Sequence, residues 1–499
     1  MADATKFILP VDSEHKATYF RPWNFRGVHM TSFHASWLAF FTTFVSTFAP
    51  AALLPLIRDD LNLTKPDLGN AGIAAVTGTI GARIVMGAVC DKFGPRFGYA
   101  VLLLLSAPAV FCMSLVTGPT GFILARFFIG FSLATFVACQ FWCSVMFNVK
   151  IVGVANATAG GWGNLGGGVT QLLMPLVYSL INTNEEPFTA WRWAFFVPGS
   201  MHIIMGAFIL GYAQDLPDGR YAALKKTGQM AKASGGASFL AGAKNYRTWL
   251  LLALYGFSFG VELTMNNIVA SYFFDQFGVS LRVAGVLASM FGLMNLFARS
   301  VGGIVSDNMG RKYGMRGRLW SLWILQTVEG VLCVIMGLLS SNLAGTMVAM
   351  ISFSLFVQSS EGATFGVVPF VSKRGLGIVS GFVGAGGNAG SAITQQIFFK
   401  SDKYEVYEGI TFLGIMIICM TLLVIPIYFP MWGGMFFGPK EGVTEEDYYL
   451  GEYTQEEISM GLANASIKFA AESKSQRGSA RLQNETSAKE GVEMKAGTT

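Results

Sequence analysis

The sequence predicts an all-α membrane protein with twelve transmembrane helices arranged in two pseudo-symmetric six-helix halves. Three observations carry this. Of 499 residues, 52% are hydrophobic and only 13% are charged, where a soluble globular chain has about 25% charged residues. Twelve apolar runs are each long enough to cross a bilayer, which takes about 20 helical residues. A glycine-rich stretch also occurs twice, as Gly160-Gly-Trp-Gly-Asn-Leu-Gly-Gly-Gly168 and as Gly384-Ala-Gly-Gly-Asn-Ala-Gly390. Internal repeats of this kind mark carriers built from duplicated halves, with the ligand held between them.

The runs lie at 32–57, 69–90, 99–117, 121–147, 157–181 and 193–213, then at 248–273, 283–305, 319–340, 343–370, 376–399 and 408–430. They divide the chain into an N-terminal segment (1–31), a first half (32–213), a central loop (214–247), a second half (248–430) and a tail (431–499). The central loop is rich in Gly, Lys and Ser, as a linker is. The tail fills with Glu, Lys, Ser and Gly and has too little apolar surface to fold alone, so it is expected to be disordered and to serve regulation or docking. Lys92, Arg96, Lys150, Lys225, Arg311, Lys312, Lys373 and Arg374 share one side of the membrane. The positive-inside rule therefore puts both termini and the central loop in the cytoplasm.

Composition also excludes whole classes of function. A net charge of +5 without a basic stripe interleaved with aromatics gives no case for nucleic acid. The six cysteines fall in apolar stretches without ligand spacing, so they read as small hydrophobes, not as disulfides or metal ligands. No loop carries a nucleophile, metal-binding or phosphate-binding constellation, so neither an enzyme nor a cofactor is expected.

Two loops carry the first motif. Gly87-Ala-Val-Cys-Asp91-Lys-Phe-Gly-Pro-Arg96 follows the second run, and Gly303-Ile-Val-Ser-Asp307-Asn-Met-Gly-Arg311-Lys312 follows the eighth. Both resemble the G-x-x-x-D-[RK]-x-G-x-[RK] loop of the major facilitator superfamily, in the two places where that fold carries it. Asp91, Arg96, Asp307 and Arg311 then become a candidate gate, latching helix ends by contacts that break as the halves rock.

Eight residues before each loop Asp stands an arginine, Arg83 before Asp91 and Arg299 before Asp307. Eight residues of helix span about 12 Å, which sets both near mid-membrane. An intramembrane charge costs about 2.5–3.5 kcal/mol on insertion scales and is a functional candidate by default. Neither run contains an acid to neutralise its arginine, and a guanidinium fork suits a planar oxyanion. The plainer alternative is internal ion pairing, because Arg126 in the fourth run and Glu262, Glu329 and Glu361 in the seventh, ninth and tenth complete a set of three bases and three acids. For Arg126 that structural or coupling role is preferred; for Arg83 and Arg299 the symmetry favours a shared anion.

In the repeat, Gly160, Gly163 and Gly167, with Gly384, Gly387 and Gly390, fall three or four apart and form smooth faces for helix packing. Packing does not require Asn164 and Asn388, whose amides need partners inside the membrane. They are candidate second contacts to the anion, with interhelical hydrogen bonding the alternative; Gln171 and Gln395 are weaker candidates.

The arginine pair and the two glycine stretches resemble the nitrate signatures of the nitrate/nitrite porter family. Phe33-His34-Ala-Ser-Trp37, Cys139-Gln-Phe-Trp142, Phe259-Gly-Val-Glu262-Leu-Thr264 and Glu361-Gly-Ala-Thr-Phe-Gly366 are similar to text of the high-affinity nitrate transporters of plants and algae. The resemblance runs through all twelve runs. It implies nitrate clamped by Arg83 and Arg299, uptake by proton symport at the plasma membrane, nitrite as a weaker substrate and a small single-span accessory subunit as partner. His34, Glu262, Glu361 and Arg126 are the candidates for proton coupling. A nitrate/nitrite antiporter, or a nitrate sensor signalling through its tail, are the alternatives.

Overall fold

In the computed structural model, residues 7–226, 235–400 and 403–483 are described. The spanning segments are α1 (Val28–Ala52), α2 (Lys65–Phe93), α3 (Pro95–Leu115), α4 (Pro119–Met146), α5 (Val152–Ile181) and α6 (Pro187–Tyr212), followed by α7 (Tyr246–Phe277), α8 (Leu281–Tyr313), α9 (Met315–Leu338), α10 (Leu343–Phe370), α11 (Leu376–Phe399) and α12 (Val406–Val424). Among the described residues, eleven of these are apolar enough to cross a bilayer by composition alone. The twelfth, α5, has the length, but its glycines and amides dilute its hydropathy.

Local chemistry explains why the helices outrun the apolar runs. Thr64 caps α2 in a reciprocal box with Asp67, satisfying backbone donors that a bilayer cannot. Proline opens α3, α4 and α6 at the position where its missing N–H costs nothing. Gly94 and Gly314 end α2 and α8 at φ +88° and +68°, the left-handed region open to glycine. Two boundaries differ from expectation. The first run breaks after Ala52 and restarts as the short helix Leu54–Leu61. The last stops at Val424, because Pro426 and Pro430 cannot continue a helix, and Tyr428–Phe429 (β1) pairs instead with Gly433–Gly434 (β2).

Each half repeats one packing scheme: first helix against fifth, second against fourth, third against sixth. The halves meet along α2 with α11 and along α5 with α8. In their most apolar stretches α1 and α11 are 83% buried and α12 only 33%, which separates helices that line the centre from those that face lipid. Close approach at the seams depends on glycine: a Cβ on Gly168 would stand 2.6 Å from the Leu293 nitrogen and 2.7 Å from the Gly292 carbonyl carbon. G168A is expected to force α5 and α8 apart at about 1–3 kcal/mol, and a lowered thermal midpoint of the detergent-solubilised protein checks it.

The tail departs from expectation. Residues 431–483 carry structure, with β2 followed by α13 (Glu445–Leu450), α14 (Gln455–Ser459) and α15 (Asn464–Ser473); residues 484–499 of the expected disordered tail lie outside the described residues. Composition misleads here because the segment does not fold alone. Tyr449 and Phe469 bury themselves against Phe370 at the end of α10, and the Tyr449 hydroxyl donates to the Phe370 carbonyl at 3.0 Å. Glu445 is buried while accepting two bonds from Arg477, both 2.8 Å, and one from Trp432. Arg374, in the loop before α11, forks onto Glu457. These bonds, with one from the Thr454 N–H, hold the Glu457 carboxyl down to about 2. A depressed carboxyl contributes stability above its unfolded value and loses it as pH falls toward the folded one. Acidification from about pH 4.5 toward 2 is therefore expected to release α14, read as lost amide-exchange protection at residues 454–459 after correction for intrinsic rates.

Candidate functional site

Arg83 and Arg299 are fully buried, on α2 and α8, one from each half. Their guanidinium carbons share two aromatic faces: Arg83 lies 4.8 Å from the Phe136 ring and 4.9 Å from that of Phe259, Arg299 5.6 and 5.8 Å from the same rings. Phe136, Tyr255 and Phe259 stack on one another at 5.1–5.9 Å. Cations over aromatic faces in a dry site gain about 2 kcal/mol or more each, which offsets part of the cost of burying them.

The two glycine stretches seat these arginines crosswise. Arg83 donates to the carbonyl of Gly384 on α11 and, at 3.3 Å, to that of Leu133. A Cβ on Gly384 would lie 3.3 Å from Arg83 Cδ. Likewise a Cβ on Gly160 would lie 2.8 Å from Arg299 Nε. Two of the six signature glycines thus make room for the opposite half's arginine. The others keep the expected packing role: Gly163 faces Phe40, Gly167 faces Phe44 and Asn266, Gly387 faces Phe259 and Gly390 lies against Gly256.

The acids fall differently from the expected scheme. Glu361 of α10 pairs with Arg299, whose other fork nitrogen donates to the Tyr255 hydroxyl at 2.5 Å. Glu262 of α7 accepts from Asn295 at 2.8 Å and from Asn164 at 2.8 Å, and the same Asn164 nitrogen reaches Glu361 at 3.4 Å. Asn164 therefore bridges two carboxylates. Among the described residues, the fully buried Asn388 has neither amide atom partnered, and Arg83 Nη2 is also without a partner. Glu329 takes the Ser360 hydroxyl at 2.7 Å. Arg126 has no ion pair among the described residues; its partners are the Ala71 and Thr47 carbonyls and Asn267. His34 sits near the start of α1, its ring nitrogens engaged by the Asn24 carbonyl at 3.2 Å and the Trp37 indole N–H at 2.9 Å. Both ring nitrogens are thus engaged, outside the arginine cluster. Gln171 donates to the Asn266 carbonyl and Gln395 to Ser391.

At the loop ends the symmetry returns. Asp91 faces the backbone N–H groups of Gly377 and Ile378 at the start of α11, and Asp307 accepts from that of Val154 at the start of α5, at 2.8 Å. Each half's loop carboxylate thereby sits at the N-terminus of a helix of the other half, where the macrodipole favours negative charge. The basic partners differ from the motif. Arg318 of α9, not Arg311, pairs with Asp307 at 2.6 Å and also meets Gln476 of the tail at 2.7 Å. Arg96 binds the Ile209 and Leu210 carbonyls at the end of α6.

Sequence reasoning missed the aromatic floor and Arg318. Phe136 is one of 42 phenylalanines and carries no individual signal; Phe259 opens one of the stretches of the family resemblance, but as a flanking residue without a role. Tyr255 carried one, since a phenol inside an apolar run needs a partner.

A family profile described as Major Facilitator Superfamily matches residues 36–395. "Nitrate transporter 2.1" of Chlamydomonas reinhardtii is 53% identical over 481 residues, covering 95% of this chain and 88% of that protein. "High affinity nitrate transporter 2.5" of Arabidopsis thaliana is 55% identical over 477 residues, covering 95% of each. Among solved structures, the partially occluded inward-open form of the xylose transporter XylE from E. coli superposes with a TM-score of 0.60 over 80% of this chain and 97% of that one, at 13% identity, a likeness of fold alone.

Proposed function

Because this chain belongs to the major facilitator superfamily and, within it, to the nitrate transporters of plants and algae, we propose that it takes up nitrate by proton symport, through alternating access around the Arg83–Arg299 site. It is a transporter and not an enzyme. The observation that carries the reading is the arginine pair: two buried guanidiniums from opposite halves, over shared aromatic faces.

Nitrate is planar and spreads one negative charge over three oxygens, so a fork from each side engages it without desolvating a lone charge. Among the described residues Arg83 Nη2, Arg299 Nε and the Asn388 amide are buried donors without partners, and a bound anion relieves each of the cost those donors otherwise carry. Asn164, by contrast, spends its amide on the acids. Nitrite, with two oxygens, fills the same donors less completely and is the weaker substrate.

Coupling follows from competition for Arg299. While Glu361 is ionised it holds one arm of the fork; a proton on Glu361 releases that arm to the anion. Protonation and nitrate binding then favour one another, as symport requires. Glu262, bridged to Glu361 through Asn164, is the second acid of the relay. The basic loops face the cytoplasm in this scheme, and rocking parts the Asp91 and Asp307 contacts to open the site inward.

Proteoliposomes containing this chain alone test the reading. Nitrate added to them should alkalinise the medium, and chloride should not. Nitrate/nitrite counterflow at full rate, with no proton movement, would replace symport by antiport. Absence of transport until a single-span partner is added would make the accessory subunit part of the machine.

A further inference from the structure

We propose a second, outer anion station, built on Arg126 and Asn267 in the cavity between the halves on the face opposite the Asp91 and Asp307 loops, and fitted to a small monovalent oxyanion. It rests on the nitrate reading of the central site. The cavity measures about 410 Å³, and its charged lining residues are Arg58, Lys65, Arg126, Asp275 and Glu405. Arg126 is 4% exposed, and its three nitrogens meet only neutral acceptors: the Ala71 carbonyl at 3.4 Å, the Thr47 carbonyl at 3.1 Å and the Asn267 carbonyl oxygen at 2.7 Å.

The lining acids are committed elsewhere. Asp275 lies 3.6 Å from Arg58, and Glu405 caps the first turn of α12. Arg126 thus keeps a full positive charge at the floor of a cavity, an arrangement that an unpaired buried cation rarely holds without a ligand. Asn267 supplies the second observation: it is 7% exposed, its oxygen is taken by Arg126, and its Nδ2 donor is without a partner among the described residues. A guanidinium and an amide donor side by side offer donors and no free acceptor, which selects an anion.

The station stands in line with the central site. Asn267 comes five residues after Glu262 on α7, about 7.5 Å along the helix. Ala71, which Arg126 contacts, precedes Arg83 by twelve residues of α2, about 18 Å. Between these levels Thr264 bonds the hydroxyls of Ser391 and Thr394, both at 2.9 Å. An anion captured at Arg126 is held at the mouth of the path before the central site receives it, concentrated there by a field that repels cations.

Equilibrium dialysis of the purified full chain with nitrate tests this. The native chain should bind two nitrates, the R83Q/R299Q chain one and N267D one, because the new carboxylate neutralises Arg126 with almost no change in volume; affinity at the outer station should fall at least about tenfold. A native stoichiometry of one, or two nitrates still bound by N267D, overturns the outer station and leaves the central site standing. A native chain that binds none overturns the nitrate reading itself. Should N267D bind none, the R83Q/R299Q chain decides: one nitrate sustains the station and none removes it.

Discussion

R83K is expected to lower nitrate affinity about 100-fold while the protein still inserts and folds. Lys keeps the charge but presents a single point where the anion meets a fork, and a charge-assisted hydrogen bond is worth about 1.5–3 kcal/mol. It also gives up one of the two carbonyl contacts of Arg83, to Leu133 within its own half and to Gly384 across the seam, so the arginine's seat is weakened as well as the ligand's. R299K is expected to behave alike. Nitrate binding to purified protein, beside the elution profile of the same preparation, is the measurement, and near-native affinity in both variants would end the two-arginine site.

E361Q is expected to uncouple the carrier. The amide mimics a protonated carboxyl, so Arg299 is permanently free for the anion; exchange of nitrate across the membrane continues, while accumulation against a gradient and dependence on external pH disappear. Removing one partner of a buried ion pair costs about 3–5 kcal/mol, and here nitrate can stand in for the missing carboxylate. Nitrate should accordingly raise the thermal midpoint of E361Q more than that of the native protein. A variant that still accumulates nitrate in a pH-dependent way would move the proton to another acid, Glu262 first.

Much of this architecture was legible in the residues, and the reasons differ from one element to the next. Hydropathy locates the spanning helices because a bilayer demands a minimum apolar length. It fails where α1 breaks at Leu53 and where prolines stop α12, since both boundaries are decided by backbone chemistry within a run that stays apolar. Arg83 and Arg299 stood out because a charge in an apolar run is rare and these two recur at one offset from a motif. Their partners did not stand out. Glu361 sits 62 residues from Arg299, and nothing local marks it rather than Glu262 as that arginine's partner. Arg126 illustrates the limit: an internal ion pair was the preferred kind of role for it, yet among the described residues Arg299 alone of the three arginines takes an acid, because helix rotation and not stoichiometry decides which charges meet. The tail was misjudged for a related reason. Composition speaks of whether a segment folds by itself, and Tyr449 and Phe469 fold on a surface supplied by α10.

The pairing of Glu361 with Arg299 also sets what the membrane voltage can do. Arg83, Arg299, Glu262 and Glu361 carry formal charges that sum to zero when all are ionised, and one nitrate with one proton leaves that sum unchanged. In the proposed symport the loaded and the empty carrier then cross the field with equal charge, so potential does no work on either leg and only the pH difference drives the cycle. Each further proton brings in about 2.3 kcal/mol per 100 mV. Inward current per nitrate in the proposed symport therefore counts the protons beyond the first, and Glu329, buried on α9 beside the Ser360 hydroxyl, is the third fully buried acid of these spanning helices, after Glu262 and Glu361, and the candidate to carry one.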